Sequence, residues 1–357
     1  MRMILLVIIS LAGIALITAS CTNTHVSGHE MQVNNGGITA VPLAKAVDYD
    51  AVYVVNGGDN TISVIDTRGD SVTGVIRLSG ATYPHHAYLS PDRSTISISM
   101  PGIDFSAGHY GGMMGMMGAV AVLDARTGQL VKARKMMSMN HNAVFSPGGN
   151  EIWTSGMMDS GMVYALDAMT LDIIDSISVG NTPQEVTFDK GGRYGFVCNG
   201  MSNSVSVFDE MTRNHIKDIP VDSNPVGAWP GDNGMMYVDN EESRTICAID
   251  TATLSVHHRY NLGFTPGMAA TGPDTTLWIT DSDNGNVIIN MMTMDTKMGE
   301  IVTGAGAHGI TFSADKRKCY VTNQSANTVS VIDATTQTVL KTLSVGNKPN
   351  GLVWRKN

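Results

Sequence analysis

A repeat of about 42 residues runs through nearly the whole chain and constrains its fold more than any other feature. A hydrophobic segment followed by a polar turn recurs seven times, and the segments end at Asp66, Asp124, Asp167, Asp209, Asp250, Met291 and Asp333. The steps between these positions are 58, 43, 42, 41, 41 and 42 residues. A period of this length, built from several short strands, is typical of sheets repeated radially around an axis.

Each repeat contains the segments of four short strands. In the last repeat an entry strand with a tight turn, "GAHGITFSADKR", is followed by "KCYVTN", by a run ending in Asp333 and by "VLKTLSVG". A Thr follows the Asp three residues later in five repeats, at Thr127, Thr170, Thr212, Thr253 and Thr336. Because Asp and Thr side chains close turns by bonding to nearby backbone, we interpret these Asp residues as turn formers and not as catalysts.

The two ends of the repeat array predict how the ring closes. The first repeat starts at "AVYVVNGG" without an entry strand, and the chain ends in "NKPNGLVWRKN", which matches the missing one. The sequence therefore predicts an all-β, seven-bladed β-propeller of four-stranded antiparallel blades over residues 48–357. The C-terminal strand would complete blade 1 and leave no unpaired edge.

The N-terminal segment indicates export. In "MRMILLVIISLAGIALITASC", Arg2 precedes an apolar run and small residues precede Cys21. This pattern predicts a signal peptide at residues 1–20 and resembles bacterial lipoprotein signals, which implies lipidation of Cys21 as the first mature residue. An ordinary signal peptide or a single membrane anchor is the alternative. Residues 21–47 are predicted to be a flexible tether, so we expect a protein held at a membrane, in the periplasm or on the outer face of the cell envelope.

Composition excludes several functions. The net charge is −9 and no basic run occurs, which argues against a nucleic-acid partner. The motif CxxCH is absent, so c-type haem is not expected, and Cys198, Cys247 and Cys319 lie in strand-like runs that predict buried thiols. No nucleophile elbow, phosphate loop or paired-carboxylate motif supports hydrolysis. The chain has 24 methionines against 7 phenylalanines, so some methionines must fill the core.

Histidines recur where the entry strands begin. When the entry strands are aligned on their turns, the equivalent positions are His85, His141, Gln184, Val226, Gly267, His308 and Asn350. In a four-stranded blade the start of the inner strand and the end of the second strand lie on one face, here called the top face. These residues should therefore surround the mouth of the central channel. We predict that His85, His86, His141 and His308 are metal ligands there.

The longest step contains a methionine-rich insertion at about residues 104–118, with the sequence "GHYGGMMGMMG" at its end. It joins strands two and three of blade 2 and should emerge on the top face, as should Met157, Met158 and Met201. We predict a mobile lid that supplies His109, Met113, Met114, Met116 and Met117 as further ligands. Imidazole suits several transition metals and thioether sulfur favours Cu(I), so copper is the predicted metal. The insertion could instead be an apolar cap or a partner surface.

Short motifs carry a resemblance to known propellers. The sequence reads "YVTN" at residues 320–323 and "YVVN" at residues 53–56, and over residues 48–357 it resembles the YVTN-repeat family of seven-bladed propellers. The "HH" entry at His85 and His86 also resembles the propeller of nitrous oxide reductase, which implies copper bound at inner-strand starts. This chain has too few such histidines for that enzyme's copper–sulfide cluster. A similarity to haem d1-binding propellers implies haem d1 as the alternative cofactor.

The sequence thus supports three hypotheses about function. The first is an exported, lipid-anchored propeller that binds copper at the top of its channel. The second is a non-catalytic scaffold that binds a periplasmic protein on its top face without any cofactor. The third is a haem d1-binding protein or a metal-dependent oxidoreductase. We expect a monomer in each case.

Overall fold

The computed structural model describes residues 35–107 and 117–357, and nearly all regular structure in this part of the chain is β-strand. The strands form seven antiparallel sheets, six with four strands and one with five. These sheets are the blades of a seven-bladed β-propeller, as predicted. Each inner strand is bonded to the second strand of its own blade and packs beside the inner strands of the neighbouring blades.

The strands are numbered in chain order. Blade 1 contains β1 (Thr39–Val41), β2 (Ala51–Asn56), β3 (Thr61–Asp66), β4 (Ser71–Ser79) and β29 (Pro349–Arg355). Blade 2 contains β5 (Ala87–Leu89), β6 (Thr95–Met100), β7 (Ala119–Asp124) and β8 (Leu130–Lys135). Blade 3 contains β9 (Ala143–Phe145), β10 (Glu151–Gly156), β11 (Met162–Asp167) and β12 (Ile173–Ser178). Blade 4 contains β13 (Pro183–Phe188), β14 (Tyr194–Asn199), β15 (Ser204–Asp209) and β16 (His215–Pro220).

The remaining blades have the same organisation. Blade 5 contains β17 (Pro225–Pro230), β18 (Met235–Asn240), β19 (Thr245–Asp250) and β20 (Ser255–Asn261). Blade 6 contains β21 (Pro266–Thr271), β22 (Thr276–Asp281), β23 (Asn286–Met291) and β24 (Lys297–Val302). Blade 7 contains β25 (Ala307–Phe312), β26 (Lys318–Asn323), β27 (Thr328–Asp333) and β28 (Thr338–Ser344). Two short 3-10 helices lie at Phe105–Ala107 and Gly200–Ser202.

The C-terminal strand closes the ring. Strand β29 is the inner strand of blade 1 and pairs antiparallel with β2, with Val54 opposite Leu352. Leu352 is 6% exposed and packs in an apolar cluster that includes Val54 and Tyr320 of blade 7. The predicted closure by the chain end is confirmed, and the two termini of the repeat array share one sheet.

Hydroxyl groups tie several blades to the next one near the channel. The Ser99 hydroxyl of blade 2 donates to the His141 carbonyl of blade 3 at 2.7 Å, and the Thr280 hydroxyl of blade 6 donates to the His308 carbonyl of blade 7 at 2.6 Å. In blades 2, 6 and 7 a small hydroxyl on the second strand thus fixes the backbone of the following inner segment. His141, His308 and Asn350 at the channel mouth are therefore held by two blades at once.

The predicted turn formers behave as expected. The carboxylate of Asp124 accepts hydrogen bonds from the Thr127 amide at 2.7 Å and from the Thr127 hydroxyl at 2.8 Å. Asp209 accepts the same pair of bonds from Thr212. In "DSDNGN", the side chain of Asp281 likewise accepts bonds within its own turn, so this segment is a turn.

The cysteines of the repeats are also as predicted. Cys198, Cys247 and Cys319 are free thiols, and all three are fully buried. Burial raises the pKa of each of these thiols above its usual value, so they are packing residues with little thiolate character. Cys21 lies outside the described residues.

Part of the segment assigned to the tether is ordered. Residues 39–41 form β1, which pairs with β4 as a fifth, outermost strand of blade 1. Ile38 and Val47 are each 1% exposed and belong to the apolar cluster between blades 1 and 2. The propeller domain therefore begins before residue 48, and a strand of three residues is too short for alternation to reveal it. Within the described part of the chain, no helix has the length and apolar character needed to cross a membrane.

Candidate metal centre

Three histidines from two neighbouring blades meet at the channel mouth. His85 and His86 immediately precede β5, and His141 lies just before β9. Their exposed fractions are only 3%, 3% and 2%. One ring nitrogen from each lies within 4.8 Å of those of the other two, and the Nε2 atoms of His85 and His141 are 3.2 Å apart. Buried imidazoles at these distances can together bind a single small ligand.

The backbone explains why the histidines point together. Strands β5 and β9 have three residues each, whereas most inner strands have six, so the histidine segments lie above the strand ends. The His85 amide donates to the Ser99 carbonyl at 2.9 Å, and the His85 carbonyl accepts from the Gly351 amide of blade 1 at 2.9 Å. A Cβ atom at position 351 would lie 2.6 Å from Nδ1 of His86. Gly351 therefore makes room for the His86 ring.

The spacing of one histidine pair fits both a first-row transition metal and a direct hydrogen bond between the rings. Metal–imidazole bonds of 2.0–2.1 Å at a tetrahedral angle place two ligand nitrogens about 3.3 Å apart. The observed separation of 3.2 Å between Nε2 of His85 and Nε2 of His141 agrees with this value. The three rings are mutually edge-to-face or tilted, with centroid distances of 4.4, 4.6 and 5.1 Å. Their nitrogens thus converge without the rings stacking.

The fourth predicted ligand lies farther away. The His308 ring centroid is 6.5 Å from that of His85, and His308 is not part of the group of three whose nitrogens converge. His308 is 7% exposed, and a Cβ atom at Gly267 would lie 2.9 Å from its Nδ1. It therefore forms the channel wall beside the group of three. The structure brings together His85, His86 and His141, with His308 next to them.

The first part of the insertion covers the histidines. Phe105 is 4% exposed, and its ring centroid lies 5.2 Å from that of His85 and 5.6 Å from that of His141. It packs with Met139 and Met157, which are 2% and 3% exposed. An aromatic ring and two thioether side chains thus shield this site from water.

An ion pair joins this cover to the neighbouring blade 1. Asp104, next to Phe105, pairs with Lys348, which directly precedes β29. Burial alone would raise the pKa of Asp104, but hydrogen bonds from Lys348 and Ser106 lower it overall. The side chains of the pair are 29% and 47% exposed, so solvent screens the attraction. The contact positions Phe105 more than it stabilises the fold.

A buried acid lies on the inner strand of blade 4, directly after Gln184, which is the position aligned with His85 and His141. Glu185 is fully buried and accepts hydrogen bonds from the Tyr88 hydroxyl and from the Asn142 amide, the latter at 3.2 Å. The Tyr88 ring lies 6.3 Å from the ring of His86. Burial raises the pKa of Glu185 to about 8, despite the opposing effect of these two hydrogen bonds. Glu185 is therefore mostly protonated and uncharged at neutral pH.

A second buried acid belongs to blade 5. Asp239 is fully buried and accepts a hydrogen bond from the Trp229 indole at 2.6 Å and one from the Gly227 amide at 3.2 Å. The Trp229 ring is 6.2 Å from the ring of His86. Burial raises the pKa of Asp239 well above its usual value, and the nearby carboxyls of Glu241 and Glu185 add to the effect. The channel near the histidines thus carries two carboxyl groups, Glu185 and Asp239, whose burial favours the protonated, uncharged acid.

Replacing Glu185 with glutamine is expected to flatten the pH dependence of stability. Glu185 binds its proton more tightly in the folded chain, with a pKa of about 8, than in the unfolded chain. Unfolding therefore releases a proton between about pH 5 and 8, and stability falls with rising pH by about 1 kcal/mol per unit for this group. Glutamine keeps the acceptor for Tyr88 but cannot ionise. Urea unfolding at several pH values measures the slope; an unchanged slope would contradict the protonated assignment.

The other predicted residues divide into three groups. His109, Met113, Met114 and Met116 lie outside the described residues, and Met117 is 53% exposed. Met157 and Met158 lie in the loop after the second strand of blade 3, and Met201 lies in the short 3-10 helix after the second strand of blade 4. Three histidines far from the channel, His215, His257 and His258, lie on outer strands, and His258 is partly buried with its ring 4.6 Å from that of Tyr260.

Sequence reasoning missed Phe105, Met139, Glu185 and Asp239. Met139 had a signal, because it lies two residues before His141 in "MMSMNH". Glu185 follows the aligned position Gln184, as His86 follows His85, so a second row of the alignment would have found it. Phe105 and Asp239 had no signal that distinguishes them from ordinary core and turn residues.

Comparisons with solved structures agree with the fold. The dihydro-haem d1 dehydrogenase NirN is 14% identical with a TM-score of 0.62, over 87% of this chain and 76% of that one. Periplasmic gluconolactonase PpgL of Pseudomonas aeruginosa is 16% identical with a TM-score of 0.69, over 86% and 99% of the two chains. Hydrazine synthase of Kuenenia stuttgartiensis is 16% identical with a TM-score of 0.65, over 78% and 97%.

These similarities concern the architecture, because identities of 14–16% between propellers carry no shared activity. No protein-family model matches the sequence, and no curated protein does. The class of protein that fold and site define is thus a seven-bladed β-propeller with a buried histidine group at the top of its channel.

Proposed function

We propose that this protein is an exported propeller that binds one copper ion through His85, His86 and His141. The observation that carries the proposal is the convergence of three buried imidazoles, two of whose nitrogens are 3.2 Å apart. The Nε2 atoms of His85 and His141 are within hydrogen-bond distance of each other, and this contact offsets part of the cost of burying the two rings. A metal bound to all three imidazoles would offset more of that cost.

The surroundings favour copper over harder metals. Met139 and Met157 pack on Phe105, which contacts two of the three histidines, so the polarizable atoms near the site are thioether sulfurs. The nearby carboxyls of Glu185 and Asp239 have raised pKa values and are engaged with Tyr88 and Trp229. Imidazole with thioether suits copper, and especially Cu(I), whereas metals that prefer carboxylates would have to bind acids that burial keeps protonated.

Haem d1 is the second candidate, favoured by the structural similarity to NirN, a dihydro-haem d1 dehydrogenase. The described side chains fit it less well. Phe105 lies 5.2 Å from the His85 ring, and the three histidine rings pack edge-to-face or tilted within 5.1 Å of one another. A planar macrocycle could reach His85 or His141 only if Phe105 and the neighbouring ring moved aside.

Metal analysis of protein purified without an affinity tag, combined with its visible spectrum, tests the proposal. We expect about one equivalent of copper and no tetrapyrrole absorption band. A strong visible band with iron would favour haem d1, and protein that binds neither copper nor haem would leave the scaffold hypothesis. Avoiding a histidine tag matters because the tag itself binds these metals.

Export through a lipid anchor belongs to the same proposal, and the comparison with a periplasmic gluconolactonase is compatible with export. The expected result of Cys21→Ser is that mature protein moves from the membrane fraction to the soluble fraction, because no acyl chain can be attached. Fractionation followed by immunoblotting measures the distribution. Substituting the neighbouring Thr22 with Ser is the control and should change nothing. Unchanged membrane association of the Cys21 variant would indicate an uncleaved helix or a protein partner.

A further inference from the structure

Two loops beside the histidine group each place an exposed methionine next to a buried one. Between β8 and β9, Met137 is 82% exposed and Met139 is 2% exposed. Between β10 and β11, Met158 is 38% exposed and Met157 is 3% exposed. The loops lie side by side, since the Met157 amide donates to the Met139 carbonyl at 3.0 Å. The methionines thus form an outer pair and an inner pair.

The inner pair borders the proposed metal site. Met139 and Met157 belong to one apolar cluster with Phe105, whose ring lies 5.6 Å from that of His141. His141 follows Met139 by two residues. Along this single segment, alternate residues lead from an exposed thioether through a buried thioether to an imidazole of the histidine group.

We propose that Met137 and Met158, followed by Met139 and Met157, form a path of thioether ligands along which Cu(I) reaches the histidines. The inference rests on the copper function proposed above. At each step one sulfur ligand on the ion is exchanged for the next, and finally sulfur is exchanged for imidazole nitrogen. Copper remains Cu(I) throughout, so no electron or proton has to be supplied. Soft sulfur selects Cu(I) over Zn²⁺ and over harder ions.

Packing alone does not account for the outer pair. Met137 has no core to fill at 82% exposure, yet it directly precedes the buried segment that leads to the site. Met169 and Met211 provide a contrast, because they are 85% and 88% exposed in turns after Asp167 and Asp209. These turns follow the third strands of blades 3 and 4, on the face of the propeller opposite the top face. Neither methionine has a buried methionine beside it in sequence.

The test measures how fast the metal-free protein takes up Cu(I) from a chromogenic chelator without oxygen, and Cu(II) in a separate experiment. The variant Met139→Leu with Met157→Leu keeps apolar side chains of similar volume. We expect Cu(I) uptake to slow by about tenfold or more, similar to the loss when a supporting residue is removed from a metal site. Cu(II), which binds imidazole directly, should load as in wild type.

Two further variants make the result decisive. Met137→Leu with Met158→Leu alters only exposed residues, so it cannot act through the core, and it should also slow Cu(I) uptake. Met169→Leu with Met211→Leu is the matched control and should not. Suppose that wild type binds copper but the Met139/Met157 and the Met137/Met158 double variants both take up Cu(I) at a rate within about twofold of wild type. The proposed path is then wrong, and the histidine site stands. If wild type binds neither Cu(I) nor Cu(II), the copper function fails and the path fails with it.

Discussion

Replacing both His85 and His141 with glutamine is expected to weaken copper binding by on the order of a hundredfold or more, since changes that only support a ligand already cost 10- to 100-fold. These two residues contribute the pair of nitrogens that are 3.2 Å apart, and His86 alone cannot hold the ion. Glutamine retains polar bulk in a buried position, so the fold should persist. Competition titration with a copper chelator measures the affinity.

The matched control is His257→Gln, which changes an exposed histidine on the outer strand β20. It should leave the copper affinity unchanged. Equal losses in the control and in the double variant would show that copper binds nonspecifically to surface imidazoles. Full copper binding by the double variant would refute the site itself.

Deleting residues 347–357 is expected to produce the largest loss of stability. The deletion removes β29, exposes the inner edge of β2 and uncovers the apolar cluster that contains Leu352. Burial of one large aliphatic side chain is worth about 2–5 kcal/mol, and a loss of about 5 kcal/mol or more lowers the unfolding midpoint of a domain this size by about 10 °C. Thermal unfolding followed by circular dichroism measures the midpoint.

A pair of point variants separates closure from a general effect of truncation. Leu352→Ala should cost about 2–4 kcal/mol because Leu352 is buried in the closing strand. Leu340→Ala removes the same side chain from β28, where it is 52% exposed, and should cost much less. If the truncated protein melts like the full chain, strand β29 does not close the ring.

The sequence alone determined the architecture of this protein. A period of about 42 residues, turn-forming Asp residues and an entry-strand motif at the chain end were enough to predict seven blades and their closure. These features are local and repeated, so errors at single positions do not accumulate. The same alignment placed His85, His141 and His308 at equivalent positions around the channel, because equivalent residues of a repeat occupy equivalent places in the ring.

Only the tertiary structure decided which of these residues meet. Ring equivalence cannot show that His85, His86 and His141 converge while His308 lies farther off, since side-chain direction depends on the shortened strands β5 and β9 and on the space left by Gly351. The roles of Phe105 and Glu185 arise from contacts with His141 and Tyr88 of other blades, and Asp239 acts near the site through Trp229, whose ring lies close to that of His86. Burial sets the charge state of the two acids, and burial is a property of the assembled ring.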